Sequence, residues 1–77
     1  MEKDLIEYIA KSLVDNPTGV SVNEFPTENG VTLELHVNES DVGKVIGKHG
    51  RIAKAMRTLL NAVSTRNGQR VNLEIME

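Results

Sequence analysis

The sequence predicts a single α+β domain in which three helices cover one face of a three-stranded mixed sheet, in the chain order α-β-β-α-α-β. Apolar residues recur at helical spacing near the N-terminus and again in the second half of the chain. Three other short segments alternate apolar and polar residues, and proline, asparagine and glycine fall between the segments. Each strand then has one apolar side and each helix one apolar stripe, so the two kinds of element must bury these surfaces against each other in two layers. Residues 1–77 suffice for one core and no more.

Leu5, Ile6, Ile9, Ala10, Leu13 and Val14 form the stripe of a first helix, which stops at Asp15-Asn16-Pro17-Thr18-Gly19 because proline and glycine both oppose continuation. Val20 and Val22 begin a strand with an irregular end. Phe25 falls out of phase and Pro26 lacks the amide a central strand donates, which places this strand at an edge. Asn29 and Gly30 are expected to supply the positive backbone angles of a tight hairpin. Beyond it, Val31, Leu33, Leu35 and Val37 alternate with Thr32, Glu34, His36 and Asn38 in a second strand.

Ser40 or Asn38 is placed to cap a short helix that contains Val42, Val45 and Ile46 and ends at Gly47. Gly50 and Arg51 open a longer helix. Its core stripe is Ile52, Met56, Leu59, Leu60 and Val63, while Arg51, Lys54 and Arg57 step by three along the opposite side. Asn67 and Gly68 turn the chain into a last strand, in which Val71, Leu73 and Ile75 alternate with Asn72, Glu74 and Met76. The hairpin makes the first two strands antiparallel. The third, returning after two helices, is expected to run parallel to the second through a right-handed crossover.

Composition narrows the range of functions. With no cysteine the chain has no disulfide, and a domain this small is marginal alone, so self-association or docking on another protein is a secondary expectation. The N-terminus lacks a basic stretch followed by an apolar run, and no window approaches the roughly 18 apolar residues of a membrane span, so a soluble, cytoplasmic protein without membrane contact is expected. The net charge of −2 argues against indiscriminate binding of polyanions. The charge is unevenly placed, however. Residues 1–40 carry two Lys/Arg and eight Asp/Glu, a balance of −6, and residues 41–77 carry seven and three, a balance of +4. From Lys44 to Arg57 there are five cationic residues and one histidine but no acid, which makes a local basic patch on an acidic body.

Within that patch, Gly47-Lys48-His49-Gly50 joins two helices. A Gly-x-x-Gly tetrapeptide alone is weak evidence, since glycine at roughly 7% of residues produces one by chance in about a third of chains this long. The flanks add the specificity: Val45-Ile46 before it, Arg51-Ile52 and the basic helix face after it. Glycines without Cβ atoms let a sugar-phosphate backbone approach the main chain, and Lys48 and His49 project from the tip. Amides near Gly50, Arg51 and Ile52 are expected to point outward unpaired at the helix start, where an anion is favoured, with Lys48, Arg51, Lys54 and Lys44 supplying charge. Val45, Ile46, Ile52 and Ala53 are expected to line an apolar groove that accepts unstacked bases, hence a single strand. The chain has no tryptophan, and Tyr8 and Phe25 lie far from the turn, so stacking on aromatic side chains is not expected.

The run Val45-Ile46-Gly47-Lys48-His49-Gly50-Arg51-Ile52 resembles the signature of KH domains, and the element order resembles their type II, prokaryotic arrangement. The likeness spans nearly the whole chain. Within that family, the run from Gly47 to Leu60 resembles the small free-standing bacterial branch. The resemblance implies a type II KH fold and binding of a short single-stranded RNA. It also implies a bacterial post-transcriptional regulator or RNA chaperone linked to cell-envelope or cell-size control, and homodimerisation or pairing with a second KH protein, KhpB (also called Jag or EloR). It places the phosphate clamp at Gly47, Lys48, His49 and Gly50, and the base-facing groove at Val45, Ile46 and Ile52. At His49 the family often has glycine, glutamine or another polar residue; a protonated histidine adds charge to the tip.

Competing readings are blander. The turn could be a connector that binds nothing, and Arg57, Arg66 and Arg70, taken singly, read as solvated surface. His36 lies on the polar side of its strand apart from His49, with no cysteine or spaced acids beside either, so no metal site is expected. Glu39, Ser40 and Asp41 read as helix-start residues rather than a catalytic trio. The turn lacks the spacing of a nucleotide-hydrolysing loop and no nucleophile has an evident base, so neither catalysis, a cofactor nor a small-molecule substrate is expected. The serious rival is a module that dimerises or docks a protein partner, with RNA contact secondary.

Overall fold

A computed structural model describes residues 2–76, the side chain of Asn67 excepted. The elements are α1 (Glu2–Leu13), β1 (Ser21–Pro26), β2 (Gly30–His36), α2 (Val42–Ile46), α3 (Arg51–Asn67) and β3 (Arg70–Met76), in the expected α-β-β-α-α-β order. Single 3-10 turns at Pro17–Gly19, Glu39–Asp41 and Lys48–Gly50 lie between them. The sheet order is β1-β2-β3, with β1 antiparallel and β3 parallel to β2. This is the α+β arrangement of a type II KH fold.

Register explains the core. Val22, Leu35 and Ile75 lie in one row across the sheet, and Pro26, Val31 and Val71 in another. Between them Leu33 and Leu73 continue the apolar layer, but Glu24 occupies its β1 end. The β2 side chains thus alternate between buried and half-buried along the whole strand, whereas β1 buries Val22 alone. Against this layer α1 packs Ile6 and Ala10, α2 packs Val45, and α3 packs Met56 and Leu60. Burying a side chain such as Leu33 or Leu35 stabilises the fold by about 1.5–3 kcal/mol. No helix among the described residues is long and apolar enough to cross a membrane.

The structure departs from expectation at several positions. Leu59, assigned to the core stripe of α3, is 47% exposed, while Ala53 and Ser64 are buried. The buried line is therefore Ala53, Met56, Leu60 and Ser64, and the Ser64 hydroxyl is accommodated by donating to the Asn61 carbonyl at 3.0 Å. At the β1–β2 hairpin, neither Asn29 nor Gly30 has a positive φ. Gly30 is instead a site of close approach, since a Cβ there would overlap the Arg70 carbonyl of β3. The capping expectation for α2 also fails. Its N-cap is Asp41, and neither Asn38 nor Asp41 makes a side-chain cap hydrogen bond.

Candidate nucleic-acid interface

The short helix α2 is fixed by Val45, which is wholly enclosed. It closes where the Gly47 amide donates to the Gly43 carbonyl at 2.9 Å. The chain then leaves ordinary backbone geometry. Gly47 has φ 80° and ψ 171°, His49 φ 58° and ψ 24°, and Gly50 φ 72° and ψ 15°, before Arg51 returns to the right-handed helical region. The Gly47 conformation is one that essentially only glycine adopts. A Cβ there would also come within 2.6 Å of Ile52 Cγ1, so this glycine serves packing as well as backbone freedom. At Gly50 the space for a Cβ is open. His49 is the one described non-glycine residue with positive φ, and the left-handed position turns its side chain outward at the tip.

Hydrogen bonding tightens this turn and corrects one expectation. The Gly50 amide donates to the Gly47 carbonyl at 3.1 Å, and the Arg51 amide donates to the Lys48 carbonyl. Two of the amides expected to face outward are thus used inside the turn. Its capacity for an anion rests mainly on side chains, with the positive end of the α3 dipole behind them. Lys48, His49, Arg51 and Lys54 are exposed. Among the described residues, no acidic side chain pairs with Lys48, Arg51 or Lys54.

Lys44 is different. Its ammonium lies 3.0 Å from Asp15 and 3.6 Å from Asp41. The hydrogen bond and charge of Asp15 raise its pKa above the ordinary value, against an opposing effect of burial, and Asp41 adds to the rise. It is therefore committed to acidic partners.

The apolar strip beside the turn is narrower than expected. Ile46, at 36% exposure, and half-buried Ile52 form it. Val45 and Ala53, both expected in the groove, are buried.

Sequence reasoning missed the role of Asp41, which has no exposed surface. Its carboxylate accepts the backbone amides of Asp15 at 3.2 Å and Asn16 at 3.1 Å, and the Asn16 carboxamide at 3.4 Å. Burial disfavours its charged form, but these donors and Lys44 outweigh that, and the carboxyl titrates below its usual range. Asp41 thus ties the loop after α1 to the start of the helix that carries the turn. Only its spacing from Lys44 hinted at a partner. Its main donors, Asp15 and Asn16, lie 26 and 25 positions away in the chain.

Comparison with known proteins agrees with this architecture. Residues 3–75 match the KhpA/KhpB KH-domain family. The RNA-binding protein KhpA of Aquifex aeolicus is 52% identical over 75 residues, covering 97% of this chain and 95% of that protein. The RNA-binding protein KhpA of Treponema pallidum is 53% identical over 77 residues, covering 100% and 96%. Among solved structures, Aquifex aeolicus Era bound to GDP·AlF4− aligns with a TM-score of 0.57 at 20% identity, over 96% of this chain and 29% of that one. A complex of Era with MgGDPNP and nucleotides 1506–1542 of 16S ribosomal RNA aligns with the same TM-score and identity, over 96% of this chain and 28% of that one. The chain spans less than a third of Era, and the likeness is one of fold.

Proposed function

This chain belongs to the KhpA/KhpB family of KH domains, and on that premise we propose that it binds RNA, holding about four nucleotides of a single strand at the Gly47–Gly50 turn. Lys48 and Arg51 contact phosphate, His49 and Lys54 add to the local field, and Ile46 and Ile52 give the bases an apolar surface. The observation that carries this reading is the exposure of Lys48, Arg51 and Lys54 with no acidic partner among the described residues, around a backbone turn whose tip is open at Gly50. The role is one of binding, as in the RNA-binding relatives, and no catalytic step is assigned. A bacterial cytoplasmic regulator or RNA chaperone linked to cell-envelope or cell-size control is the physiological setting we propose.

The test is the double substitution Lys48→Asp, His49→Asp. Aspartate tolerates the left-handed backbone at position 49, so the fold should persist while binding of labelled single-stranded RNA is lost. RNA retention equal to that of the parent would overturn the assignment.

A second reading, pairing with another copy or with the KH protein KhpB, is favoured by one observation: Leu59 is exposed on α3 although its spacing suits a buried stripe. Sedimentation of the parent and of Leu59→Glu tests it, with dissociation of an assembly expected. A parent that sediments as a monomer, alone and with KhpB, would overturn it.

A further inference from the structure

Two asparagines of the chain, Asn29 and Asn67, precede glycine. An asparagine carboxamide is an electrophile that one ring closure brings onto the main-chain nitrogen of the next residue. Glycine at that next position leaves the approach clear. The larger residues after Asn23, Asn38, Asn61 and Asn72 crowd it, and Pro17, after Asn16, has no N–H to lose.

The fold treats the two Asn-Gly pairs differently. Asn67 ends α3, and the Gly68 amide donates to the Ser64 carbonyl, so the nucleophile there is engaged in closing the helix. At the β1–β2 hairpin, Glu28 and Asn29 form an exposed loop between Thr27 and Gly30. The Gly30 amide reaches the Thr27 carbonyl only at 3.4 Å, beyond the usual length of an N–H···O bond. The main-chain carbonyl of Asn29 meanwhile accepts from the Arg70 amide at 3.2 Å. When the Gly30 nitrogen loses its proton, negative charge spreads onto that oxygen, where a fixed N–H donor stabilises it. The strand β3 thus holds the 29–30 peptide plane on its carbonyl side, and exposure leaves the Asn29 side chain room to fold onto the nitrogen.

We propose that Asn29–Gly30 is a site of spontaneous deamidation, with water as the co-reactant. The Gly30 nitrogen gives its proton to solvent base and bonds to Asn29 Cγ; the carboxamide C–N bond breaks, and the nitrogen leaves, protonated, as ammonia. Water then opens the succinimide ring. Attack at Cγ gives aspartate, and attack at the main-chain carbonyl gives isoaspartate; no electrons are exchanged with any other group. Both products add one negative charge to the chain's −2. Isoaspartate also inserts a methylene into the main chain next to Gly30, which lies so close to the Arg70 carbonyl that not even a Cβ fits between them. The aged chain should therefore pair β2 with β3 less firmly.

The experiment incubates the intact chain in mildly alkaline buffer, folded and, in parallel, unfolded in urea, and follows both positions by mass spectrometry after proteolysis. In the folded chain, position 29 should deamidate about tenfold faster than position 67, where a hydrogen-bonded helix end must open first. In urea the two rates should become equal. Asn29→Gln, whose longer side chain closes a less favourable ring, should remove the fast phase. The isoaspartyl form, separated by ion exchange, should unfold at lower urea than the parent, whereas Asn29→Asp, with the same charge and an unaltered main chain, should unfold with the parent. Position 67 reacting as fast as position 29 in the folded chain, or the same ratio of rates in urea, would overturn the assignment. An isoaspartyl form as stable as Asn29→Asp would overturn the consequence drawn for the sheet.

Discussion

At the β1–β2 hairpin the chain reverses with Thr27 and Gly30 exchanging backbone hydrogen bonds, at 2.8 and 3.4 Å, and with no positive φ. At the Gly47–Gly50 turn it reverses through three residues with positive φ, one of them histidine. The two turns contain the same residue type for different reasons. Gly30 is small because β3 runs against it, and the Arg70 amide reaches back to the Asn29 carbonyl at 3.2 Å. Gly47 and Gly50 permit backbone angles that present Lys48 and His49 to solvent. The hairpin glycine is thus a matter of tertiary packing, whereas the site turn concentrates local backbone strain where a ligand is proposed to meet it.

Substitutions at the glycines should separate the two roles. The largest effect is expected for Gly30→Ala, which forces the β2–β3 pair apart and should cost about 3 kcal/mol in urea denaturation. Gly47→Ala meets both the glycine-only backbone region and the Ile52 side chain, and should cost about 2 kcal/mol in the same assay. Gly50→Ala has open space and only the left-handed penalty, about 1 kcal/mol, so its main effect should appear as weaker RNA binding. His49→Gly relieves similar strain but adds freedom to the unfolded chain, and stability should change by less than about 0.5 kcal/mol. If Gly30→Ala proved milder than Gly50→Ala, the contrast between the turns would fail.

The element order was legible because each segment repeats its period several times, so single exceptions such as Phe25 do not erase the pattern. The face of α3 was less legible. The expected Ile52, Met56, Leu59, Leu60 and Val63 and the buried Ala53, Met56, Leu60 and Ser64 are both stripes of helical spacing that share Met56 and Leu60. Side-chain type favours the first, and the sheet selects the second by a modest rotation of the helix. The Asn29-Gly30 pair carries a strong hairpin signal, but its glycine answers to a strand some 40 positions later, which no local rule detects. At the site, the turn and its exposed cations were visible in the sequence. The burial of Val45 and Ala53 and the internal bonding of the Gly50 and Arg51 amides required the packed chain.

Asp41 moors the site-bearing helix to the loop after α1 through a carboxylate rather than through apolar contact, so the attachment is chemically reversible. Its folded pKa lies below the reference 3.8, so the stabilisation it confers is present above that value and disappears as acid drives the pH down through the folded pKa. The melting temperatures of the parent and of Asp41→Asn should therefore differ by a constant amount at neutral pH and converge in strong acid. A gap that persisted unchanged into strong acid would show that the carboxylate's charge is not what ties the start of α2 to that loop.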